Sequence, residues 1–164
     1  MLLISHYNFI LGSVLVTIIT ANTHNLGRGF GEQYNWFGLE DGLREARNSN
    51  KPLMLIIHKT WCGSCKAFKP VFAASKEIKD LSSDFVMVNV QDDEEPKDEQ
   101  YSPDGGYIPR ILFIEPDGNV RKEFYNEDGN PSYKYYYPNA ESVVASMKRV
   151  KKALSSQSRV EEEL

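Results

Sequence analysis

Two cysteines are all that the 164-residue chain contains. That count excludes the multi-disulfide framework of small secreted domains that lack a sufficient core. Strong charge of either sign is also missing. Nineteen Lys and Arg against 23 Asp and Glu leave a net charge of −4, so nothing draws the chain generally to nucleic acid or to an anionic membrane. No internal repeat is visible. The one Asn-x-Ser/Thr sequence, Asn130-Pro131-Ser132, is disqualified as a glycosylation acceptor by its proline. Gly27, Gly29 and Gly31 form no G-x-G-x-x-G pattern and follow no strand, so they read as a flexible lead-in and not as a phosphate loop. The hydrophilic segment 91–104 holds seven acidic residues and one lysine, without the EF-hand spacing. It reads as a solvated loop running towards Pro109, placed to repel acidic substrates or favour basic ones.

The first 27 residues contain no Lys, Arg, Asp or Glu. Within them Phe9 to Ala21 is nearly all apolar, yet shorter than the roughly 20 residues needed to cross a bilayer. It fits the hydrophobic region of a cleaved signal peptide, with Ala21 and Thr23 as candidate cleavage positions; an uncleaved anchor is the alternative. The expected organisation is a signal peptide over 1–23, one domain over 24–154 and a flexible tail over 155–164, with no stable membrane insertion after cleavage.

What is present is enough apolar content, 41%, and aromatic content, 12%, for a real core. Leu39, Leu43 and Ala46 share one face of a helix that Ser49-Asn50-Lys51-Pro52 ends. Leu53 to His58 is apolar on both alternating faces, as a strand covered on both sides is. A helix continues from the cysteines as far as Leu81, bent where Pro70 deletes a backbone hydrogen bond. Phe85 to Val90 and Arg110 to Ile114 are further buried strands. Pro116-Asp117-Gly118-Asn119 is a turn, after which Val120 to Tyr125 should return antiparallel. Asn126 to Pro138 is polar and rich in tyrosine, and it reads as packing. Asn139 caps a last helix with an apolar stripe at Val143, Met147, Val150 and Leu154. This order predicts an α/β fold: a mixed β-sheet with helices on both faces.

Between the first long strand and its helix stands Trp61-Cys62-Gly63-Ser64-Cys65. At a helix N-terminus, free amides and the helix dipole stabilise a thiolate at Cys62. Cys65, one turn further in, is less exposed. The asymmetry suits a two-step exchange in which Cys62 attacks a disulfide and Cys65 then displaces it. A structural disulfide closing so short a loop would remove little unfolded-chain entropy. Zinc needs about four ligands, and only His58 lies near enough to join the pair. His58 reads instead as a packed strand residue at the rim of the site.

The Trp-Cys-Gly-x-Cys run after a buried strand, Pro70 eight residues beyond the first cysteine and Ile108-Pro109 before a later strand resemble the thioredoxin fold family over Leu53 to Tyr125. The runs Pro103 to Phe113 and Gly129 to Tyr135 are similar to a group within it. That group comprises the small single-domain endoplasmic reticulum proteins, thioredoxin domain-containing protein 12 and the anterior-gradient proteins, and the similarity spans about Leu26 to Leu154. The resemblance implies a thioredoxin fold and a lumenal thiol-disulfide oxidoreductase linked to glutathione, with no cofactor beyond its redox-active disulfide and no metal. Its implied partners are cysteine-containing proteins of the secretory pathway. By position Cys62 is the nucleophile and Cys65 the resolving thiol. Pro109 is the cis-proline that, with Ile108, presents backbone to a substrate, and Trp61 offers an apolar contact surface. Gly63, Ser64 and Lys59 are modulating positions.

Two departures stand out. The buried carboxylate that many members carry five residues before the tryptophan is Ile56 here. The dipeptide between the cysteines is Gly-Ser, neither Gly-Pro nor Gly-His. The ending Glu161-Glu162-Glu163-Leu164 resembles a K-D-E-L retention signal in its last two residues. It implies a retention receptor and residence in the endoplasmic reticulum lumen, with secretion as the alternative. A client-binding module acting through mixed disulfides with little turnover is the competing functional reading.

Overall fold

The computed structural model describes residues 26–162. The apolar run Phe9 to Ala21, the candidate cleavage positions and Leu164 lie outside the described residues. The elements are β1 (Trp36–Phe37), α1 (Leu39–Ser49), β2 (Leu53–His58), α2 (Gly63–Ala74), α3 (Lys76–Leu81), β3 (Val86–Gln91), β4 (Arg110–Ile114) and α4 (Ala140–Glu162).

β2 is the central strand because all six of its residues are buried, which requires cover on both faces and a neighbour on each edge. The sheet order is β1-β3-β2-β4. β3 runs parallel to β2, from Leu53 opposite Val86 to His58 opposite Gln91. β4 runs antiparallel, from Leu53 opposite Ile114 to Ile57 opposite Arg110. Strand alternation divides the apolar side chains into two layers. Met54, Ile56, Met87, Ile111 and Phe113 pack with Phe68 and Phe72 of α2, Ile78 of α3 and Val143, Met147 and Val150 of α4. Leu55, Ile57, Val88, Val90 and Leu112 pack on the other face with Ala46 of α1. α1 approaches the sheet so closely that a Cβ at Gly42 would stand 2.2 Å from the Val88 side chain. The mixed sheet with helices on both faces is as the order of elements predicts.

Several elements differ from the expectations drawn from sequence. Pro70 lies inside the helix after the cysteines, as expected, but that helix does not run on to Leu81. It breaks at Ser75, where the backbone is extended (φ −74°, ψ 112°) and Oγ caps the next helix by accepting from the Ile78 amide at 3.2 Å. Val120 to Tyr125 is not a returning strand. The turn after β4 forms, and Val120 makes one bridge to Ile114. The chain then turns again, Phe124 N donating to Arg121 O, and this buries Phe124 in the layer beneath α2 and α4. β1, which no sequence pattern announces, is a two-residue strand pairing Trp36 with Met87.

The lead-in expected to be flexible is packed instead. Phe30 is fully buried and meets Phe68 and Phe72 edge-on, at centroid distances of 6.0 and 5.6 Å. Positive φ at Gly29 and Gly31 (89° and 108°) turns the backbone around it. Asn139 caps α4 as expected, its Oδ1 accepting from the Ser142 amide at 2.9 Å. The helix then continues past Leu154 to Glu162, through residues expected to form a tail.

Candidate active site

β2 ends at His58, and four residues carry the chain from the carboxyl end of the strand into α2. Cys62 is the N-cap of that helix, with extended backbone (φ −75°, ψ 119°), and its Sγ accepts from the Cys65 amide at 3.1 Å. A cap position offers unsatisfied amides to an anion, so the sulfur here is held where negative charge is stabilised. Ser64 Oγ lies 3.2 Å from the same sulfur. Cys62 and Cys65 are joined by a disulfide, with Cα atoms 5.2 Å apart. Cys65 is fully enclosed, while Cys62 retains 5% exposure.

The outer face of this turn is open. Trp61 is 73% exposed, and a Cβ at Gly63 would meet no atom within 4 Å. The opposite wall is the segment leading into β4. The Ile108–Pro109 bond is cis, and the Ile108 carbonyl oxygen stands 3.9 Å from Cys62 Sγ. The fold thus brings Trp61, Cys62, Ser64, Ile108 and Pro109 to one place. Lys59 lies close by in the chain, but its ammonium is engaged. It pairs with Glu95 at 2.6 Å and donates to the Asp92 carbonyl oxygen at 2.6 Å. Ile56 is fully buried in the apolar layer facing α2. No carboxylate therefore stands at that position of the strand to take a proton from Cys65.

Four residues near the site are not singled out by the sequence patterns. Arg110 is almost fully buried, donating to the carbonyl oxygens of Tyr101 (3.2 Å) and Tyr107 and to Glu95 (2.5 Å). Burial works to raise the Glu95 carboxyl, but hydrogen bonds from Lys59 and Arg110 outweigh it and hold that group below the usual range. Asp92 accepts from the Thr60 amide at 2.9 Å, the main reason its carboxyl is held down. Asn89 bonds His58 Nε2 at 2.8 Å. The signal that finds Arg110 is a charge inside the buried strand RILFI, which needs an anion; the acid-rich segment just upstream supplies one. Among the described residues, no three His, Cys, Asp or Glu cluster as a metal site, and no helix is long and apolar enough to cross a membrane.

A cysteine pair at a helix N-terminus after the central strand, faced by a cis-proline segment, defines a thioredoxin-like domain. The chain belongs to the thioredoxin-like family, which matches it over residues 34–116. Within that family it falls with the anterior gradient proteins. It is 38% identical to anterior gradient protein 3 of Mus musculus over 134 residues, which covers 80% of each chain. It is 38% identical to the anterior gradient protein 2 homolog of Homo sapiens over 133 residues, covering 80% of this chain and 75% of that one. Among solved structures, one titled DsbH Oxidoreductase shares the fold, with a TM-score of 0.50 and 18% identity over 74% of this chain and 85% of that chain.

Proposed function

We propose that the protein is a dithiol–disulfide oxidoreductase of the endoplasmic reticulum lumen, acting on cysteine-containing secretory proteins with glutathione as redox partner. The observation that carries the reading is the placement of the pair. One sulfur caps a helix beside an open face, and the other is enclosed directly beneath it. In the reducing direction the Cys62 thiolate attacks one sulfur of a client disulfide, and the other client sulfur leaves as thiolate. Cys65, as thiolate, then attacks Cys62 Sγ and expels the second client thiol. The client gains two electrons and the protein holds the Cys62–Cys65 disulfide; the oxidising direction is the reverse. Two molecules of glutathione return the disulfide to the dithiol and become glutathione disulfide. With Ile56 in place of a carboxylate, the Cys65 proton leaves by way of water. Trp61, Ile108 and Pro109 form the client-facing surface.

The test is the reduction potential of the pair in glutathione buffers, read by thiol trapping and mass. A value near about −180 mV marks net oxidation or isomerisation, and one near about −270 mV marks a reductase. A pair that never cycles ends the enzyme reading and leaves a client-binding module. Ser64 bears on the value, because its hydroxyl gives the Cys62 sulfur a neutral hydrogen bond. Ser64→His supplies a cationic donor, which stabilises the reduced thiolate more strongly. The potential is expected to rise by on the order of 30 mV, the equivalent of about 1.4 kcal/mol. No rise would refute the assignment of Ser64 as a modulating position.

The lumenal location is supported by the apolar run 9–21 and by the retention-like ending. Appending one residue after Leu164 is expected to move the protein from cell extract to medium. Unchanged retention would remove the tail from the account.

A further inference from the structure

The acidic segment after β3 does not stand free in solvent. Its first residue, Asp92, lies in the left-handed region (φ 53°), which is uncommon outside glycine and which aspartate and asparagine enter most readily. The loop before Cys62 is bonded to it. Asp92 Oδ1 accepts from the Thr60 amide at 2.9 Å and lies 3.3 Å from Thr60 Oγ1, while its carbonyl oxygen receives Lys59 Nζ. Three residues on, Glu95 divides its two oxygens between two elements. Oε2 pairs with Lys59, on the Cys62 side, and Oε1 with Arg110, the residue directly after Pro109. Arg110 in turn donates to the Tyr107 carbonyl oxygen, on the far side of Ile108–Pro109. Beyond it, Tyr107 donates to Asp104 at 2.8 Å, and Asp104 also accepts from the Lys134 amide at 2.8 Å. One segment is therefore bonded to both walls of the cleft over Cys62.

We propose that Asp92 and Glu95 are positioning residues of the redox site: Asp92 sets the Lys59–Trp61 approach and Glu95, through Arg110, sets the Ile108–Pro109 segment, fixing the gap in which a polypeptide disulfide is seated. The inference rests on the oxidoreductase reading and adds to it what the acidic segment does. The gap matters to a polypeptide, which must lie against the Ile108 backbone to bring its sulfur to Cys62. It does not matter to a small dithiol, which reaches the sulfur unaided. A single carboxylate between two cations is hard to replace, because its amide analogue keeps the shape and loses the charge that attracts both.

The experiment compares two reactions of one protein: reduction of its disulfide by dithiothreitol, and turnover of a peptide containing a single disulfide. Glu95→Gln is expected to lower kcat/KM on the peptide about tenfold, chiefly through KM, and to leave the dithiothreitol rate within twofold. Asp92→Asn, a milder change outside the buried pair, is expected to move the same ratio in the same direction by about threefold. It serves if Glu95→Gln fails to fold. Arg110→Lys, which keeps the charge but loses the fork that reaches both Tyr107 and Glu95, should resemble Glu95→Gln. Equal losses on both reactions, or none on the peptide, would overturn the positioning role. A wild-type protein that exchanges with neither reagent would instead bring down the oxidoreductase reading itself.

Discussion

Cys65→Ala is expected to turn the protein into a covalent trap: incubated with a disulfide-bearing client, it accumulates a mixed disulfide at Cys62 and ceases to turn over. The variant keeps the anchor of the nucleophile. The donor to Cys62 Sγ is the backbone amide of residue 65, not its side chain, so the cap that stabilises the thiolate survives. Cys65 is fully buried, and alanine is the smaller apolar choice that leaves no orphaned hydroxyl there. The variant loses the second sulfur, held close enough to form the disulfide. Intramolecular attack by a well-oriented group corresponds to effective concentrations of about 10⁵ M or more, far beyond any thiol in solution. Resolution, and with it turnover, should fall by at least about a thousandfold. Non-reducing electrophoresis and mass measurement read the adduct directly, and Cys62→Ala is the matched control that should capture nothing. A Cys65→Ala protein that forms no adduct would remove Cys62 as nucleophile. One that turns over at the normal rate would show that external thiol does the resolving.

Both cysteines in that experiment are legible in the sequence itself. Trp61 to Cys65 is a contiguous run whose chemistry comes from spacing and from the apolar strand ahead of it. β2 is equally plain, because five consecutive apolar residues, Leu53 to Ile57, lead without a break into its one polar residue, His58. The features that sequence patterns do not reveal depend on partners distant in the chain, or on a local bond that competes with the regular element. β1 has two residues, too few for any period, and exists because β3 offers an edge to Trp36 and Phe37. Phe30 sits among glycines, and only the rings of α2 decide that it is buried. The helix after Cys65 looks continuous, since its apolar spacing runs on to Ile78. Ser75 breaks it because a serine can cap the next helix, α3. The return strand fails for a comparable reason: Arg121 finds Glu115 and Glu123, and the chain turns to bury Phe124 instead of extending the ladder. The acidic segment resembles a solvated loop because composition alone does not show that Lys59 and Arg110 converge on Glu95.

His58 is legible as a packed residue at the rim, and the structure turns that placement into a pH effect. Asn89 Nδ2 donates to the carbonyl oxygens of Leu26 (2.7 Å) and Gly27 (3.1 Å), so the oxygen of that side chain is the one facing His58. His58 Nε2 therefore carries the hydrogen, and Nδ1 is left bare, buried and without a hydrogen-bond partner. Protonating it would put a charge in an enclosed site. Burial first, and then the nearby Lys69 ammonium, lower its pKa from 6.5 to about 4, against the opposing bond to Asn89. The unfolded chain keeps the ordinary value. It therefore binds more protons than the folded protein between about pH 6.5 and about pH 4, and stability falls as pH falls through that window. Above pH 6.5 the contribution is fully present. At about pH 5 the loss comes to about 2 kcal/mol. The carboxyls with lowered values, Asp92, Glu94, Glu95 and Glu123, have ordinary values of 3.8 or 4.5, so they add to the loss mainly below that pH. His58 is also the one histidine among the described residues. Urea unfolding of the disulfide-bonded protein at pH 7 and pH 5 should give that difference. His58→Gln keeps a donor for Asn89 but cannot titrate, and it should lose less than about 0.5 kcal/mol over the same interval. Parallel losses in the two proteins would place the acid sensitivity elsewhere. No loss in either would mean that the imidazole finds a way to be protonated without leaving its site.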